Sequence, residues 1–147
     1  MAQGIIFDYI GTVSAGSKGG LYPYTLEVLK ALKPKYKLAL MSLAGRGIER
    51  RRQDLEEEGI IDYFDSVVID TYKTPEHFVQ CMREMGVSPK DTIVVGDRTA
   101  REIKIGNELG CRTIWIQKGD YSHETPNEET GEPTMKINTI EDLLDIL

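Results

Sequence analysis

The sequence contains few cysteines and no long apolar run. Its 147 residues include only two cysteines, Cys81 and Cys111, which are too few for a disulfide framework or a zinc site. We interpret both as core thiols in a reducing compartment. No apolar run approaches the roughly 18–20 residues that a membrane span needs, and no basic stretch precedes an apolar one at the N-terminus. These absences predict a cytoplasmic protein that has no membrane partner.

Positive charge is also in short supply. The chain has 18 Lys and Arg residues against 24 Asp and Glu residues, which gives a formal net charge of -6. Because nucleic acids are bound mainly by clustered basic side chains, this balance disfavours a nucleic-acid partner. It does not exclude an anionic small substrate, which needs only a local positive site. The length, the 40% hydrophobic content and the lack of repeats or linkers predict a single domain over residues 1–147.

Short apolar, β-branched runs alternate along the chain with segments of helical periodicity. The predicted strands cover residues 4–8, 36–42, 66–70, 92–96 and 112–117, with a short edge strand at 135–138. The predicted helices cover residues 24–32, 46–59, 74–86, 99–109 and 139–147. Strands that are apolar almost throughout are typical of a parallel sheet buried on both faces. The alternation therefore predicts an α/β fold, a three-layer, Rossmann-like, doubly wound parallel sheet of about five strands.

Polar side chains stand at the predicted ends of four strands. Asp8 follows the first strand, Ser42 ends the second, Lys73 comes just after the third, and Asp97 follows the fourth. In an open parallel sheet, ligands bind beyond the carboxyl ends of the strands. Two carboxylates suit a Mg²⁺ ion, and an ammonium and a hydroxyl suit the oxygens of an anionic substrate.

The strings around these residues resemble the four motifs of the haloacid dehalogenase-like hydrolases. Asp8 lies in Ile-Ile-Phe-Asp-Tyr-Ile-Gly-Thr, Ser42 in Leu-Met-Ser, Lys73 in Lys-Thr-Pro-Glu, and Asp97 in Val-Val-Gly-Asp. The resemblance covers essentially the whole chain. It implies that Asp8 attacks phosphorus to form an aspartyl-phosphate, that Ser42 binds the transferring phosphoryl group, and that Lys73 neutralises the oxygens around it.

The same resemblance implies a Mg²⁺ site. Its ligands would be the carboxylates of Asp8 and Asp97 and the backbone carbonyl of Ile10, with Glu102 orienting water on the metal. The implied reaction is the hydrolysis of a phosphate ester through an aspartyl-phosphate intermediate.

The sequence departs from the family pattern at Ile10. Phosphatases of the family usually carry Asp at this position, where it protonates the leaving group and then deprotonates the attacking water. An aliphatic side chain transfers no proton, and the loss of general acid–base help commonly costs about 10²–10⁴-fold in rate. The first hypothesis is therefore a Mg²⁺-dependent phosphatase without its own acid. The alternatives are a weak or inactive member that keeps the metal and phosphate site for regulation, and a 2-haloacid dehalogenase-like enzyme.

The spacing of the motifs leaves no room for a cap domain. Only residues 13–21 separate the first motif from the first predicted helix, and residues 43–66 fit one helix and a turn. We therefore expect an open site that acts on a phosphorylated small molecule or macromolecule, or that a second copy of the chain covers.

Several other conspicuous residues are interpreted as structural or solvated. Residues 119–133 are predicted to form a solvent-exposed loop, and Trp115 is assigned to the core. His77 is predicted to be structural or exposed. The basic run in the second predicted helix is interpreted as a solvated face, and two arginines near Asp97 as surface charges: Arg46, Arg50, Arg51, Arg52, Arg98 and Arg101.

Overall fold

A six-stranded parallel sheet forms the centre of the protein in a computed structural model that describes residues 2–16, 19–45 and 47–147. Its strands are β1 (Gly4–Phe7), β2 (Lys37–Leu43), β3 (Ser66–Asp70), β4 (Thr92–Gly96), β5 (Arg112–Ile116) and β6 (Met135–Ile137). They lie in the order β3-β2-β1-β4-β5-β6. The predicted fold class is confirmed, and β6 is the predicted edge strand.

Within the described residues, five α-helices connect or follow the strands. They are α1 (Thr25–Leu32), α2 (Ile48–Glu57), α3 (Pro75–Met85), α4 (Lys104–Leu109) and α5 (Leu143–Ile146). The helix predicted over residues 99–109 is divided, because Thr99–Ile103 forms a π-helical turn before α4. The predicted terminal helix likewise begins with a 3₁₀ turn, Ile140–Asp142. Arg46, the predicted start of the second helix, lies outside the described residues.

The helices cover both faces of the sheet. Leu29 of α1, Leu55 of α2 and Leu143 of α5 pack in one apolar cluster on one face. Phe78 of α3 and Ile105 of α4 belong to a second cluster on the other face. Because successive side chains of a strand point to opposite faces, β1 contributes to both clusters. The three-layer prediction is therefore confirmed.

The strand order changes direction at β1, which lies between β2 and β4. Phe7 at the end of β1 pairs with Val95 of β4, and the amide of Asp8 donates to the Val95 carbonyl at 3.1 Å. Asp8 and Asp97 consequently leave the sheet at the same edge. This change of direction is the place where open α/β sheets bind ligands.

The two cysteines lie in the apolar interior. Burial raises the pKa of Cys81 to about 12 and that of Cys111 to about 11, so both stay thiols near neutral pH. Their assignment to the core is confirmed. Across the described ranges, none of the helices is long and apolar enough to cross a bilayer.

Candidate functional site

Lys73 joins two carboxylates at the carboxyl edge of the sheet. Its Nζ donates hydrogen bonds to Asp8 Oδ1 at 2.8 Å and to Glu102 Oε1 at 2.7 Å. The Lys73 side chain is 1% exposed. Burial by itself lowers the pKa of Lys73, but the two carboxylates outweigh it and raise the pKa. Lys73 therefore remains protonated and fixes Asp8 relative to Glu102.

The turn that carries Lys73 is closed by His77. The Thr74 amide donates to His77 Nδ1 at 3.0 Å, which leaves the ring proton on Nε2, 2.9 Å from Asp70 Oδ2. Asp70 ends β3, and His77 lies in the first turn of α3 behind a Thr74 cap and Pro75. The imidazole thus links both ends of the Lys73 turn, and the prediction of a structural role for His77 is confirmed.

Three buried carboxylates converge in this site. Asp8, Asp97 and Glu102 each place one oxygen within 4.8 Å of the others. Burial, reinforced by the charges of Asp8 and Glu102, raises the pKa of Asp97 to about 8. Burial and the neighbouring Asp8 also raise the pKa of Glu102. The site therefore disfavours a full set of ionised carboxylates unless a cation joins them.

The donor set fits a divalent cation. Asp97 Oδ1 is buried and accepts no hydrogen bond from the residues that the structure describes. Three carboxylates (-3) and the Lys73 ammonium (+1) sum to -2 when all are ionised, which a divalent cation would neutralise. The backbone carbonyl of Ile10 accepts no hydrogen bond within the described chain either. Carboxylate and carbonyl oxygens are the ligands that Mg²⁺ prefers.

Two glycines allow the acids to approach the backbone. Gly11 has a φ of +89°, and a Cβ at this position would overlap the Asp97 carboxylate. A Cβ on Gly96 would lie 2.7 Å from Glu102 Cγ. Any larger residue at either position would therefore displace a carboxylate of the site.

The π-helical turn directs Glu102 into the site. Glu102 is 1% exposed, and its Oε2 accepts a hydrogen bond from the Arg98 amide at 3.2 Å while its Oε1 accepts from Lys73. Single π-helical turns often occur at functional sites. Each carboxylate oxygen of Glu102 therefore accepts a hydrogen bond, one from Lys73 and one from the Arg98 amide.

Ser42 has different neighbours from those expected. Its hydroxyl is fully buried, donates to the Leu43 carbonyl at 3.3 Å and accepts a hydrogen bond from Arg51. Arg51 also donates to the Leu43 carbonyl at 2.7 Å and lies 4.4 Å from the centre of the Tyr9 ring. The prediction of a solvated Arg51 is therefore wrong. The phosphoryl-binding role of Ser42 stays a prediction.

A cavity of about 190 Å³ opens beside Asp8 and Asp97. Its wall at the end of β2 is Leu43, and the rest of its lining includes Ile10, Arg98, Arg101 and Tyr121. We call it the catalytic pocket, after the function that we propose for it. Arg101 and Tyr121 were missed as site residues, although Arg101 lies only four residues after Asp97 and is basic.

Arg98 anchors the loop that supplies Tyr121. Its guanidinium lies 3.0 Å from Glu124 Oε2 and 3.8 Å from the centre of the Tyr121 ring. Thr99 Oγ1 donates to the Glu124 carbonyl at 2.7 Å. Residues 119–133 are largely exposed as predicted, but their first part is fastened to the edge of the site.

A sequence model described as HAD-hydrolase-like matches residues 73–143, which include Lys73, Asp97 and Glu102. Over this part of the chain the protein is similar to the haloacid dehalogenase-like hydrolases. This match confirms the resemblance at the motifs around Lys73 and Asp97, and the matched region also contains the π-helical turn and the loop anchored by Arg98.

Individual relatives support the family and the fold. The chain is 33% identical over 132 residues to a glyceraldehyde 3-phosphate phosphatase of Methanocaldococcus jannaschii, a match that covers 86% of this chain and 56% of the relative. It thus spans about half the length of the curated relatives it matches first. An uncharacterised protein of Listeria monocytogenes has the same fold over 98% of this chain and 96% of its own (TM-score 0.83, 19% identity). The magnesium-bound HAD-hydrolase YfnB of Bacillus subtilis superposes with a TM-score of 0.72 at 21% identity, over 88% of this chain and 57% of YfnB.

Proposed function

We propose that the protein is a Mg²⁺-dependent phosphatase that hydrolyses a phosphate monoester through an aspartyl-phosphate on Asp8. The observation that carries the proposal is the buried group of Asp8, Asp97 and Glu102 around the Lys73 ammonium. The phosphatases among its relatives point to the same reaction class. A nucleophilic carboxylate beside fixed cationic groups suits phosphoryl transfer, because charge develops on the phosphoryl oxygens.

Asp8 is the nucleophile in this proposal. One of its oxygens forms a bond to phosphorus, and the bond from phosphorus to the leaving oxygen breaks with its electron pair on that oxygen. Lys73, held at 2.8 Å from Asp8 Oδ1, orients the carboxylate and places a positive charge beside the phosphoryl oxygens. Water then attacks phosphorus and loses a proton to solvent, and the bond from phosphorus to the Asp8 oxygen breaks with its electron pair on that oxygen. Asp8 is thereby released as a carboxylate together with inorganic phosphate.

A bound Mg²⁺ would supply positive charge to the phosphoryl oxygens. Asp8, Asp97 and the Ile10 carbonyl would hold it, and Glu102 would orient its water. Asp97 Oδ1 supports this assignment because it is a buried carboxylate oxygen that has no donor among the described residues. The magnesium in YfnB belongs to a relative of the same fold and is consistent with the choice of metal.

Ile10 limits the rate in this proposal. Ile10 is 49% exposed and lines the catalytic pocket, at the position where a proton donor would face the leaving oxygen. The leaving group must then take its proton from solvent, so esters with acidic leaving groups are favoured. We also propose that the site is capless and open, and that its substrate is a phosphorylated small molecule.

The Asp8→Asn variant tests the nucleophile. It should abolish Mg²⁺-dependent release of phosphate from 4-nitrophenyl phosphate while its thermal unfolding stays cooperative. Asp62→Asn, at an exposed position remote from the catalytic pocket, is the matched control and should keep wild-type turnover. Undiminished turnover by Asp8→Asn would contradict the assignment.

The Ile10→Asp variant separates this proposal from its alternatives. Restoring a proton-transfer group should raise the hydrolysis of an unactivated alkyl phosphate by about 10²–10⁴-fold. A site kept only for regulation would bind phosphate and Mg²⁺ without any such gain. Hydrolysis of a 2-haloacid that persists in EDTA would instead indicate the dehalogenase-like alternative.

A further inference from the structure

A second, larger cavity adjoins the catalytic pocket. Its volume is about 570 Å³, within the usual range of small-molecule sites. Three residues line both spaces: Ile10, Asp97 and Tyr121. A group attached to a phosphate at Asp8 can therefore extend directly into this cavity, which we call the aromatic cavity.

The walls of the aromatic cavity are mainly flat and apolar. The rings of Tyr22 and Tyr24 stack on each other with centres 5.5 Å apart and planes inclined by 14°. Tyr121 and Ile116 contribute further apolar surface, and Ile10 stands at the junction with the catalytic pocket. Such walls favour a planar ring, because offset or edge contacts between rings add to the benefit of burying apolar area.

The position of Tyr121 is fixed before any ligand binds. The Arg98 guanidinium lies 3.8 Å from its ring centre, and the bond of Arg98 to Glu124 holds that guanidinium in place. Because the Tyr121 ring is already ordered, a ligand that packs against it loses less binding free energy to side-chain ordering than one that packs against a free side chain.

Another cavity beside Ile10 has a charged lining and suits a different kind of group. It measures about 230 Å³ and is bordered by charged side chains, namely Arg50, Arg51, Asp54 and Glu58. In the described structure it shares Ile10 with the catalytic pocket, but neither Asp97 nor Tyr121. A nonpolar leaving group would therefore be directed to the aromatic cavity.

We propose that the aromatic cavity binds the leaving group of the phosphate monoester and selects small substrates whose leaving group carries a flat apolar ring. This inference rests on the proposed phosphatase function and adds a substrate class to it. An aromatic alcohol is more acidic than an alkyl alcohol, so this selection also compensates for the lack of a proton donor at Ile10. Lys118, Asp120 and Asn138 at the border of the cavity offer polar contacts to substituents on the ring.

The test compares phenylphosphonate with methylphosphonate, two ligands whose phosphorus–carbon bond is not hydrolysed. Their affinities for the Mg²⁺-loaded wild-type chain are measured by calorimetric titration. Phenylphosphonate should bind about tenfold more tightly, since ring contacts of this kind are worth up to that factor. Tyr22→Leu and Tyr121→Leu should each reduce the preference to about twofold or less.

Tyr36→Leu is the matched control, because Tyr36 lies at the opposite, amino end of β2 and should leave the preference unchanged. Equal affinities of the wild-type chain for the two phosphonates, or a preference that survives both cavity variants, would overturn the inference. No bond is broken in these titrations, so an intact preference in a chain without esterase activity would refute the phosphatase proposal alone. Failure of both phosphonates to bind would refute both.

Discussion

Lys73 Nζ lies 2.8 Å from Asp8 Oδ1, and 65 residues of sequence separate the two groups. The same ammonium also binds Glu102, so one cation joins a carboxylate at the end of β1 to a carboxylate of the π-helical turn. Removing this cation would leave buried carboxylates facing one another. The stability of the metal-free protein therefore depends on Lys73.

We expect Lys73→Met to destabilise the metal-free protein by about 3–5 kcal/mol, because breaking a buried ion pair leaves uncompensated charge. Added Mg²⁺ should restore part of this loss. Urea unfolding with and without Mg²⁺ measures both effects. Lys104→Met, which removes a half-exposed lysine 3.9 Å from Glu108, should change stability by about 0.5 kcal/mol or less. Equal effects of the two substitutions would show that Lys73 is not part of a buried pair.

Stabilisation by Mg²⁺ should increase with pH. The folded-state pKa of Asp97, about 8, lies above its ordinary value of 3.8, so the metal-free folded chain holds a proton that the unfolded chain releases between these values. Stability without metal should then fall as pH rises through this window. Mg²⁺ displaces that proton, so the increase in Tm on adding Mg²⁺ should grow between about pH 6 and about pH 8 and then level off.

Thermal unfolding at a series of pH values measures this increase. In Asp97→Asn the increase should be small at every pH. A wild-type increase in Tm that is constant or shrinks as pH rises would contradict the assignment of Asp97 to the metal.

Arg51 should contribute more to stability than its neighbours in α2. Arg51→Leu leaves the buried Ser42 hydroxyl and the Leu43 carbonyl without their donor, and we expect a loss of about 1.5–3 kcal/mol in the free energy of unfolding. Arg52→Leu, on the exposed side of the same helix, should change it by about 0.5 kcal/mol or less. Chemical unfolding of both variants measures these changes. Similar small losses in the free energy of unfolding would mean that Arg51 is solvated.

His77 should affect catalysis through the turn that carries Lys73. His77→Leu removes the contacts to Thr74 and Asp70, so Lys73 is less well held and kcat should fall by about tenfold or more. His77→Gln keeps an acceptor for the Thr74 amide, as in a capping box, and should recover thermal stability but not kcat. His123→Leu, in the exposed loop, is the control. If His77→Gln recovers kcat as well as thermal stability, His77 acts only as a helix cap and does not position Lys73 through Asp70.

The ends of the strands could be predicted because buried parallel strands have a plain sequence pattern. The apolar runs before Asp8 and Asp97 are uninterrupted, so the position of each acid at a strand end follows from the run itself. The meeting of the two acids then follows from the topology of an open α/β sheet. Glu102 was placed through the family resemblance, and the structure adds that it binds Lys73.

Arg51 could not be placed from the sequence. It stands in a run of charged residues, and hydrophobic periodicity carries no signal for a buried guanidinium that is bound by a hydroxyl and a carbonyl. The surroundings of Ser42 were missed for the same reason, since they depend on Arg51.

The contacts of Arg98 with Tyr121 and Glu124 were missed because they are long-range. Arg98 and Glu124 are 26 residues apart, and Glu124 lies in a polar segment without regular structure. Composition alone describes such a segment as a loop and does not indicate where it is attached.

The most direct test of Asp8 as the nucleophile is the time course of 4-nitrophenol release from 4-nitrophenyl phosphate by the Mg²⁺-loaded wild-type chain. Nitrophenolate leaves without a proton from position 10, whereas hydrolysis of the aspartyl-phosphate needs a proton taken from water, so the second step should be the slower one. We predict a rapid burst of one nitrophenol per chain, a slow phase after it, and a phosphoryl group on Asp8 by mass spectrometry. A linear time course that is unchanged in Asp8→Asn, with no phosphoryl group on Asp8, would contradict this account.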